Sequence, residues 1–85
     1  MQNKTIQIKL EKGLEASPIA LLVQEASRYE SKIYLESGTK KVNAKSIMGM
    51  MSLGLDNGEE VSISVEGSDE VEALAAIEKF LSVNE

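Results

Sequence analysis

Three short stretches of the sequence alternate apolar and polar residues, and this alternation restricts the fold more than any other feature. The apolar positions fall on every second residue in residues 2–10, 32–36 and 61–66. A strand with this spacing buries one face and leaves the other in water. Residues 40–43 follow the second stretch after a Ser-Gly-Thr turn, which predicts a hairpin. The chain is therefore expected to form a four-stranded antiparallel sheet with one solvated face.

Two longer segments have the apolar spacing of helices. The first is predicted to begin with Ser17 as N-cap and Pro18 in the first helical position, where a missing N–H costs nothing, and to run to about Tyr29. The second covers about residues 70–83 and begins at Asp69, which with Glu72 three residues later has the spacing of a capping box. The residues predicted to be buried on these helices are Ile19, Leu22, Val23 and Ala26 on the first, and Leu74, Ile77, Phe80 and Leu81 on the last.

The elements follow in the order β-α-β-β-α-β-α. The second of the three helices is short and lies between the last two strands. Because one face of the sheet is polar, all three helices must cover the other face. The predicted fold is thus an α+β open-faced β-sandwich. Eighty-five residues are enough for one such domain, spanning residues 1–85.

The short helix begins after Ser46, whose hydroxyl can accept a hydrogen bond from a first-turn N–H. Ile47 and the methionines at 48, 50 and 51 supply more apolar surface than so short a helix can hide. Methionine is common on surfaces that dock partners. A hydroxyl at a helix start, beside such a surface, suits a phosphate switch. An ordinary capped helix of the core is the alternative.

The composition excludes several kinds of chemistry. The chain has no histidine and no cysteine. It therefore lacks the commonest general base, the commonest metal ligand, any phosphohistidine and any disulfide. The acidic residues Asp69, Glu70 and Glu72 have the spacing of a helix start rather than of a calcium loop, so no metal and no cofactor are predicted.

The net charge of −5 is unevenly spread. Residues 1–53 carry eight Lys/Arg against five Asp/Glu, whereas residues 54–85 carry one Lys against nine Asp/Glu. Only Lys40, Lys41 and Lys45 cluster; they are either counter-charges for a phosphate or solvated lysines at strand ends. Neither nucleic acid nor membrane is an expected partner, because the basic cluster is small and no long apolar run or leader is present. A cytoplasmic location fits this composition.

Several motifs resemble the HPr family, the histidine-containing phosphocarriers of the bacterial sugar phosphotransferase system, and within it the catabolite-repression HPr-like branch of Gram-positive bacteria. The resemblance covers all 85 residues and implies the strand order 1-4-2-3. The residues that carry it are Val42-Asn43-Ala44-Lys45-Ser46-Ile47-Met48-Gly49, Met51-Ser52-Leu53, Gly13-Leu14 with Ala16 and Pro18, and Leu22-Val23-Gln24-Glu25-Ala26.

Two departures from the family pattern lie before the first helix. Glu15 stands where the phosphocarriers have the phosphorylated histidine, and Ser17 stands where they have an arginine. A carboxylate is a weak nucleophile and repels an incoming phosphoryl group. The phosphocarrier loop is thus expected to be degenerate. Glu15 either mimics the charge of a phosphohistidine or is simply a favourable residue near a helix N-terminus.

The resemblance implies that Ser46 is phosphorylated by an HPr kinase/phosphorylase and that the product is a corepressor of catabolite control protein A, a LacI-type regulator. The implied partner-binding residues are Ile47, Met48, Met51, Ala20 and Lys45. The expected function is regulatory and not enzymatic, in a monomer or weak homodimer. A divergent phosphocarrier, or a component that binds its partner without any phosphate, stays as the alternative.

Overall fold

The computed structural model describes residues 1–10 and 16–82. The strands and helices of these residues follow one another in the predicted order. They are β1 (Gln2–Gln7), α1 (Ala16–Ala26), β2 (Lys32–Ser37), β3 (Lys40–Asn43), α2 (Ile47–Leu53), β4 (Glu60–Glu66) and α3 (Glu70–Ser82).

The four strands form one sheet in the order β1-β4-β2-β3. Every neighbouring pair is antiparallel, and β2 and β3 form the predicted hairpin. Ile63 of β4 lies opposite Leu35 of β2, and Val61 lies opposite Ile6 of β1. The α+β fold and its 1-4-2-3 strand order are therefore confirmed.

The core lies between one face of the sheet and the helices. Along β2 and β4 every second side chain is buried, and the residues between them are exposed or half-buried. α3 packs against β1 and β4, α2 packs against β3, and α1 contacts both other helices. This arrangement buries the apolar set that the alternation predicted, namely Ile33, Leu35, Val61, Ile63 and Val65, together with Ile19, Leu22, Val23 and Ala26 of α1.

Three predicted boundaries, the two ends of α1 and the end of β1, were wrong by a few residues. α1 begins at Ala16 and ends at Ala26, so Pro18 lies inside its first turn rather than at its first position. A first-turn proline is tolerated because its missing N–H would be unpaired anyway. After Ala26 the N–H groups of Arg28 and Tyr29 bond to carbonyls three residues earlier, as in a 3₁₀ turn, and Tyr29 lies outside the helix. β1 ends at Gln7, although the backbone of Ile8 still bonds to residues 58 and 59.

The buried stripe of α3 also differs from the prediction. Ala73, Ile77 and Leu81 are buried, whereas Leu74 and Phe80 are half-buried at the margin of the core. Residues 73, 77 and 81 are four apart and share one face of a helix. Ala73, in the first turn of α3, begins this stripe, and Leu81 ends it.

Asp69 does not make the predicted capping box. Its carboxylate accepts hydrogen bonds from the N–H of Glu30 at 2.9 Å, from the N–H of Ser31 at 3.0 Å and from the Ser31 hydroxyl. Glu70, rather than Glu72, reaches back to the N–H of Gly67, at 3.1 Å. The Asp69 carboxylate therefore does not cap α3; it joins the turn before β2 to the start of α3.

Candidate functional site

Ser46 is the N-cap of α2, as the sequence predicts. Its backbone is extended (φ −113°, ψ 116°), and its hydroxyl oxygen accepts a hydrogen bond from the N–H of Gly49 at 3.2 Å. Its carbonyl oxygen accepts the N–H of Met50 at 3.0 Å. The residue is half-buried, not enclosed. The hydroxyl is therefore held in one orientation and still reachable, as a modifying enzyme requires.

Three of the apolar side chains of α2 point into solvent. The exposed fractions are 49% for Ile47, 83% for Met48 and 55% for Met51. Residues 47, 48 and 51 are one, three and four positions apart, so they share one side of the helix. On the neighbouring helix α1, Leu21 is 57% exposed. We call the three exposed α2 residues (Ile47, Met48 and Met51) the apolar patch.

Met50 does not belong to the apolar patch, and the partner-binding residues implied by the resemblance leave it out as well. Its side chain is completely buried in the core. It lies on the side of α2 that faces β3 and α1, together with Leu53. The α2 sequence is apolar almost all round, so the local pattern could not tell the buried methionine from the exposed ones.

Leu21 is an exposed apolar residue of α1 that sequence reasoning missed. The prediction placed Ala20 near the docking surface, and Ala20 is indeed exposed on α1. Leu21 lies beside it, off the stripe formed by Ile19, Leu22, Val23 and Ala26. A leucine outside the buried stripe of a helix was the signal that could have identified it.

The three clustered lysines occupy three different places. The Lys45 ammonium donates a 2.7 Å hydrogen bond to the carbonyl oxygen of Tyr29, just after α1. The Lys40 ammonium donates to the carbonyl oxygen of Ser52 at 2.9 Å, near the C-terminal end of α2, where a cation is favourable. The Lys41 ammonium lies 5.0 Å from the centre of the Tyr34 ring. These lysines therefore do not converge on Ser46.

A series of contacts joins the start of α2 to the start of α3. Lys45 binds the carbonyl of Tyr29, and the next two residues donate their N–H groups to Asp69. The Ser31 hydroxyl and then the Glu30 N–H lower the pKa of Asp69, because they stabilise its charged form. The N-terminal ammonium, followed by the Gly67 N–H, lowers the pKa of Glu70. The segment that holds Lys45 is thus itself held by the carboxylate of Asp69.

The predicted phosphocarrier-loop residues are only partly visible. Glu15 lies outside the described residues. Ser17 lies in the first turn of α1 and is exposed. Within residues 1–10 and 16–82 no three metal-binding side chains come together, and no helix there combines the length and the apolar character needed to cross a membrane.

The sheet order, the capped α2 and the two helices beside it match a known family. A family model described as "PTS HPr component phosphorylation site" matches residues 2–82. The chain belongs to the HPr family.

Relatives within the HPr family include both regulatory and phosphocarrier proteins. The HPr-like protein Crh of Halalkalibacterium halodurans is 49% identical over 81 residues, which cover 95% of this chain and 96% of the relative. The Crh of Bacillus subtilis is 47% identical over 81 residues, covering 95% of each chain. The phosphocarrier protein HPr of Treponema pallidum is 51% identical over 77 residues, covering 91% of this chain and 88% of the relative. Identity alone thus does not separate the two functions.

Solved HPr-family structures have the same architecture. The phosphocarrier HPr of Bacillus anthracis superposes with a TM-score of 0.93 at 47% identity, covering 95% of this chain and 96% of the other. The Crh of Bacillus subtilis, described as a dimer with a swapped domain, gives a TM-score of 0.76 at 48% identity, covering 94% and 92%. In the protein described here, β1 pairs with β4 of the same chain.

One composition fact bears on phosphohistidine chemistry, which needs an imidazole. The chain contains no histidine at any position. In contrast, the Ser46 region keeps a hydroxyl, its cap and an exposed apolar surface.

Proposed function

We propose that this HPr-family protein is a regulatory module that is phosphorylated on Ser46 by an HPr kinase/phosphorylase and is not itself an enzyme. In its phosphorylated form it acts as a corepressor of the LacI-type catabolite control protein A. It carries no phosphate for the sugar phosphotransferase system. The observation that carries this proposal is the reachable Ser46 hydroxyl beside the exposed apolar patch, in a chain without histidine.

The modification is a simple phosphoryl transfer. The Ser46 oxygen attacks the γ-phosphorus of ATP, and a new O–P bond forms. The bond from that phosphorus to the bridging oxygen breaks, and ADP leaves. The hydroxyl proton passes to a base on the kinase. The product carries about −1.5 to −2 charges and three strong acceptors where a neutral hydroxyl stood.

The apolar patch explains how a partner reads this change. α2 contains no charged residue, so a phosphate on Ser46 would be the dominant charge on this surface. A partner gains affinity by burying the patch. An Arg or Lys of the partner binds the phosphate, so that docking depends on phosphorylation. We also assign Lys45 and Ala20 to docking; the Lys45 ammonium bonds to the carbonyl of Tyr29, and Ala20 is exposed on α1.

Ser17 sets the strength of the interaction. The family arginine at this position would offer a planar, bidentate donor to a partner, and a serine cannot replace it. The exposed position of Ser17 in the first turn of α1 leaves room for such a donor. We therefore expect this protein to bind its regulator more weakly than a relative that keeps the arginine.

Two alternative functions, a divergent phosphocarrier and a constitutive binding component, predict different experimental results. A divergent phosphocarrier would accept phosphate from phosphoenolpyruvate through enzyme I, without needing Ser46. A constitutive binding component would dock through the apolar patch whether or not Ser46 carries a phosphate. Glu15 is a poor nucleophile for the first function, and the hydroxyl next to the patch would be idle in the second.

The decisive experiment is intact-mass measurement after incubation with ATP and the cognate kinase. We expect a gain of one phosphate in the wild type and none in Ser46→Ala. Ser52→Ala is the matched control, because Ser52 is an exposed serine of the same helix whose hydroxyl donates to the Gly49 carbonyl. A gain that survives Ser46→Ala, or label from phosphoenolpyruvate and enzyme I, overturns the proposal.

Binding to the purified regulator completes the test. The phosphorylated wild type should bind, whereas the unmodified wild type and Ser46→Ala should not. Equal binding by all three would establish the constitutive alternative.

The proposed oligomeric state is a monomer or a weak homodimer. β1 is an edge strand of the sheet and pairs with β4 along Gln2–Gln7. Exchange of β1 between two copies would preserve the same pairs, which is how a swapped dimer of such a small sheet would form. Sedimentation at increasing concentration distinguishes the two forms.

A further inference from the structure

The segment between β3 and α2 holds Ser46 by contacts that neither strand nor helix requires. Asn43 is the last residue of β3, and its side chain is exposed. Its side-chain oxygen accepts the N–H of Lys45 at 2.8 Å, and its carbonyl oxygen accepts the N–H of Ser46 at 3.0 Å. One residue thus satisfies the two successive N–H groups that would otherwise be unpaired as the chain leaves the sheet.

Further contacts attach the same segment on its other sides. Ala44 is completely buried, and its N–H donates to the carbonyl of Ile33 at 2.9 Å. The Lys45 ammonium reaches across to the carbonyl of Tyr29 at 2.7 Å. Ser46 follows directly, with its hydroxyl oxygen bonded to the N–H of Gly49. The side-chain oxygen of Asn43 is the one exposed link among these contacts.

We propose that Asn43 is a positioning residue for the modification of Ser46: its side-chain oxygen, bonded to the Lys45 N–H, holds the turn that presents the Ser46 hydroxyl to the kinase. This inference rests on the proposed function of Ser46. A hydroxyl that already has the reactive orientation spares the kinase the cost of ordering it. Asn43 touches neither the hydroxyl nor the phosphate, so it acts only through the turn.

The proposed role of Asn43 depends on its side-chain acceptor oxygen and not on the size of the side chain. Asn43→Ala removes the acceptor and leaves the exposed backbone position intact. Asn43→Asp keeps an acceptor in the same place, because Asn and Asp both bond to the N–H two residues on. Asn57→Ala is the matched control, since Asn57 is an exposed asparagine in the 56–59 turn, whose backbone bonds run to Ile8.

The first measurement is kinase kinetics on the three variants. For Asn43→Ala we expect kcat to fall by about fivefold to tenfold, the effect of one lost hydrogen bond on a prepared geometry, with KM within about twofold. Asn43→Asp should recover most of the loss in kcat, and Asn57→Ala should match the wild type. Wild-type kcat in Asn43→Ala, or a loss carried by KM alone, overturns the proposal.

The second measurement is amide hydrogen exchange, which needs no kinase. In Asn43→Ala the Lys45 and Gly49 amides should exchange about threefold faster or more, while the β4 amides keep wild-type protection. Asn43→Asp should restore both amides. Unchanged exchange in Asn43→Ala overturns the positioning role. If the wild type accepts no phosphate on Ser46, the proposed function fails, and the exchange data still decide whether Asn43 holds the turn.

Discussion

The Ser31 hydroxyl donates a hydrogen bond to the carboxylate of Asp69, although 38 positions separate the two residues in the chain. This contact joins the turn before β2 to the first residue before α3. It is also the main reason that the pKa of Asp69 lies below its usual value in the folded protein. Because the pKa of Asp69 is lowered in the folded protein, protonating its carboxylate in acid removes the stability that this contact contributes.

The first prediction concerns pH. Because the pKa of Asp69 is lower in the folded protein than its unfolded value of 3.8, its contribution to stability is present above about pH 3.8 and is lost as the pH falls further through the folded pKa. Asp69→Asn should therefore have a lower Tm at neutral pH and a flatter fall of Tm in acid. Thermal unfolding between about pH 2 and pH 7 measures both effects.

Glu70→Gln is the control for that experiment. The pKa of Glu70 is lowered in the same direction, chiefly by the N-terminal ammonium 2.8 Å away. Its replacement should remove a separate part of the acid sensitivity and leave the Asp69 part in place. An Asp69→Asn protein with the same acid slope as the wild type would contradict the assignment.

The second prediction separates two methionines that are two residues apart. Met50→Ala should lower the free energy of unfolding by about 2–5 kcal/mol, because the side chain is fully buried and leaves a cavity. Met48→Ala should change it by less than about 0.5 kcal/mol, because the side chain is 83% exposed. Urea unfolding measures both.

Met48→Ala should instead weaken binding of the phosphorylated protein to its regulator by about fivefold or more, as expected for a buried anchor of an interface. Titration calorimetry with the purified regulator measures this effect. Unchanged affinity would remove Met48 from the docking surface.

The third prediction tests the cap of α2. Ser46→Ala should lower the free energy of unfolding by about 1 kcal/mol, because the bond from the Gly49 N–H is lost. Ser46→Asp should retain most of the stability, since aspartate is an equally good N-cap. Thermal unfolding measures both, with Ser52→Ala as the control. A Ser46→Ala protein as stable as the wild type would show that the 3.2 Å bond contributes little.

The fourth prediction tests the close approach of two turns. A Cβ on Gly67 would lie 2.6 Å from the Cα of Ser31, so one backbone segment must shift. Gly67→Ala should lower the free energy of unfolding by about 1–3 kcal/mol. Gly49→Ala is the contrast, because there the nearest atoms are 3.4–3.5 Å away, and the helix should tolerate the change. Equal stabilities in urea unfolding would contradict the difference.

The fifth prediction concerns the strength of docking. Ser17→Arg adds a guanidinium to the exposed first turn of α1 and should tighten binding of the phosphorylated protein by about tenfold to a hundredfold. Ser27→Arg, just beyond the other end of α1, adds the same charge at an exposed position and should not. Titration calorimetry compares the two, and equal gains would indicate a general charge effect instead of a specific contact.

Much of the candidate site could be predicted because it depends on residues that are neighbours in the chain. The Ser46 cap needs only the N–H of Gly49, three residues later. The hairpin of β2 and β3 follows equally from short-range spacing. The contact of Lys45 was harder to predict, since its ammonium binds the carbonyl of Tyr29, which is 16 positions away in the chain.

By itself the sequence determined the alternating strands, the helices between them, the cap at Ser46 and the absence of an imidazole, because each depends on composition or on residues a few positions apart. Only the tertiary structure decided which α2 methionine is buried, where Asp69 places its carboxylate and which carbonyl receives Lys45. The physical reason is that α2 is apolar on nearly every side and that carboxylates and ammonium groups bond to whatever donor or acceptor the packed elements bring near them.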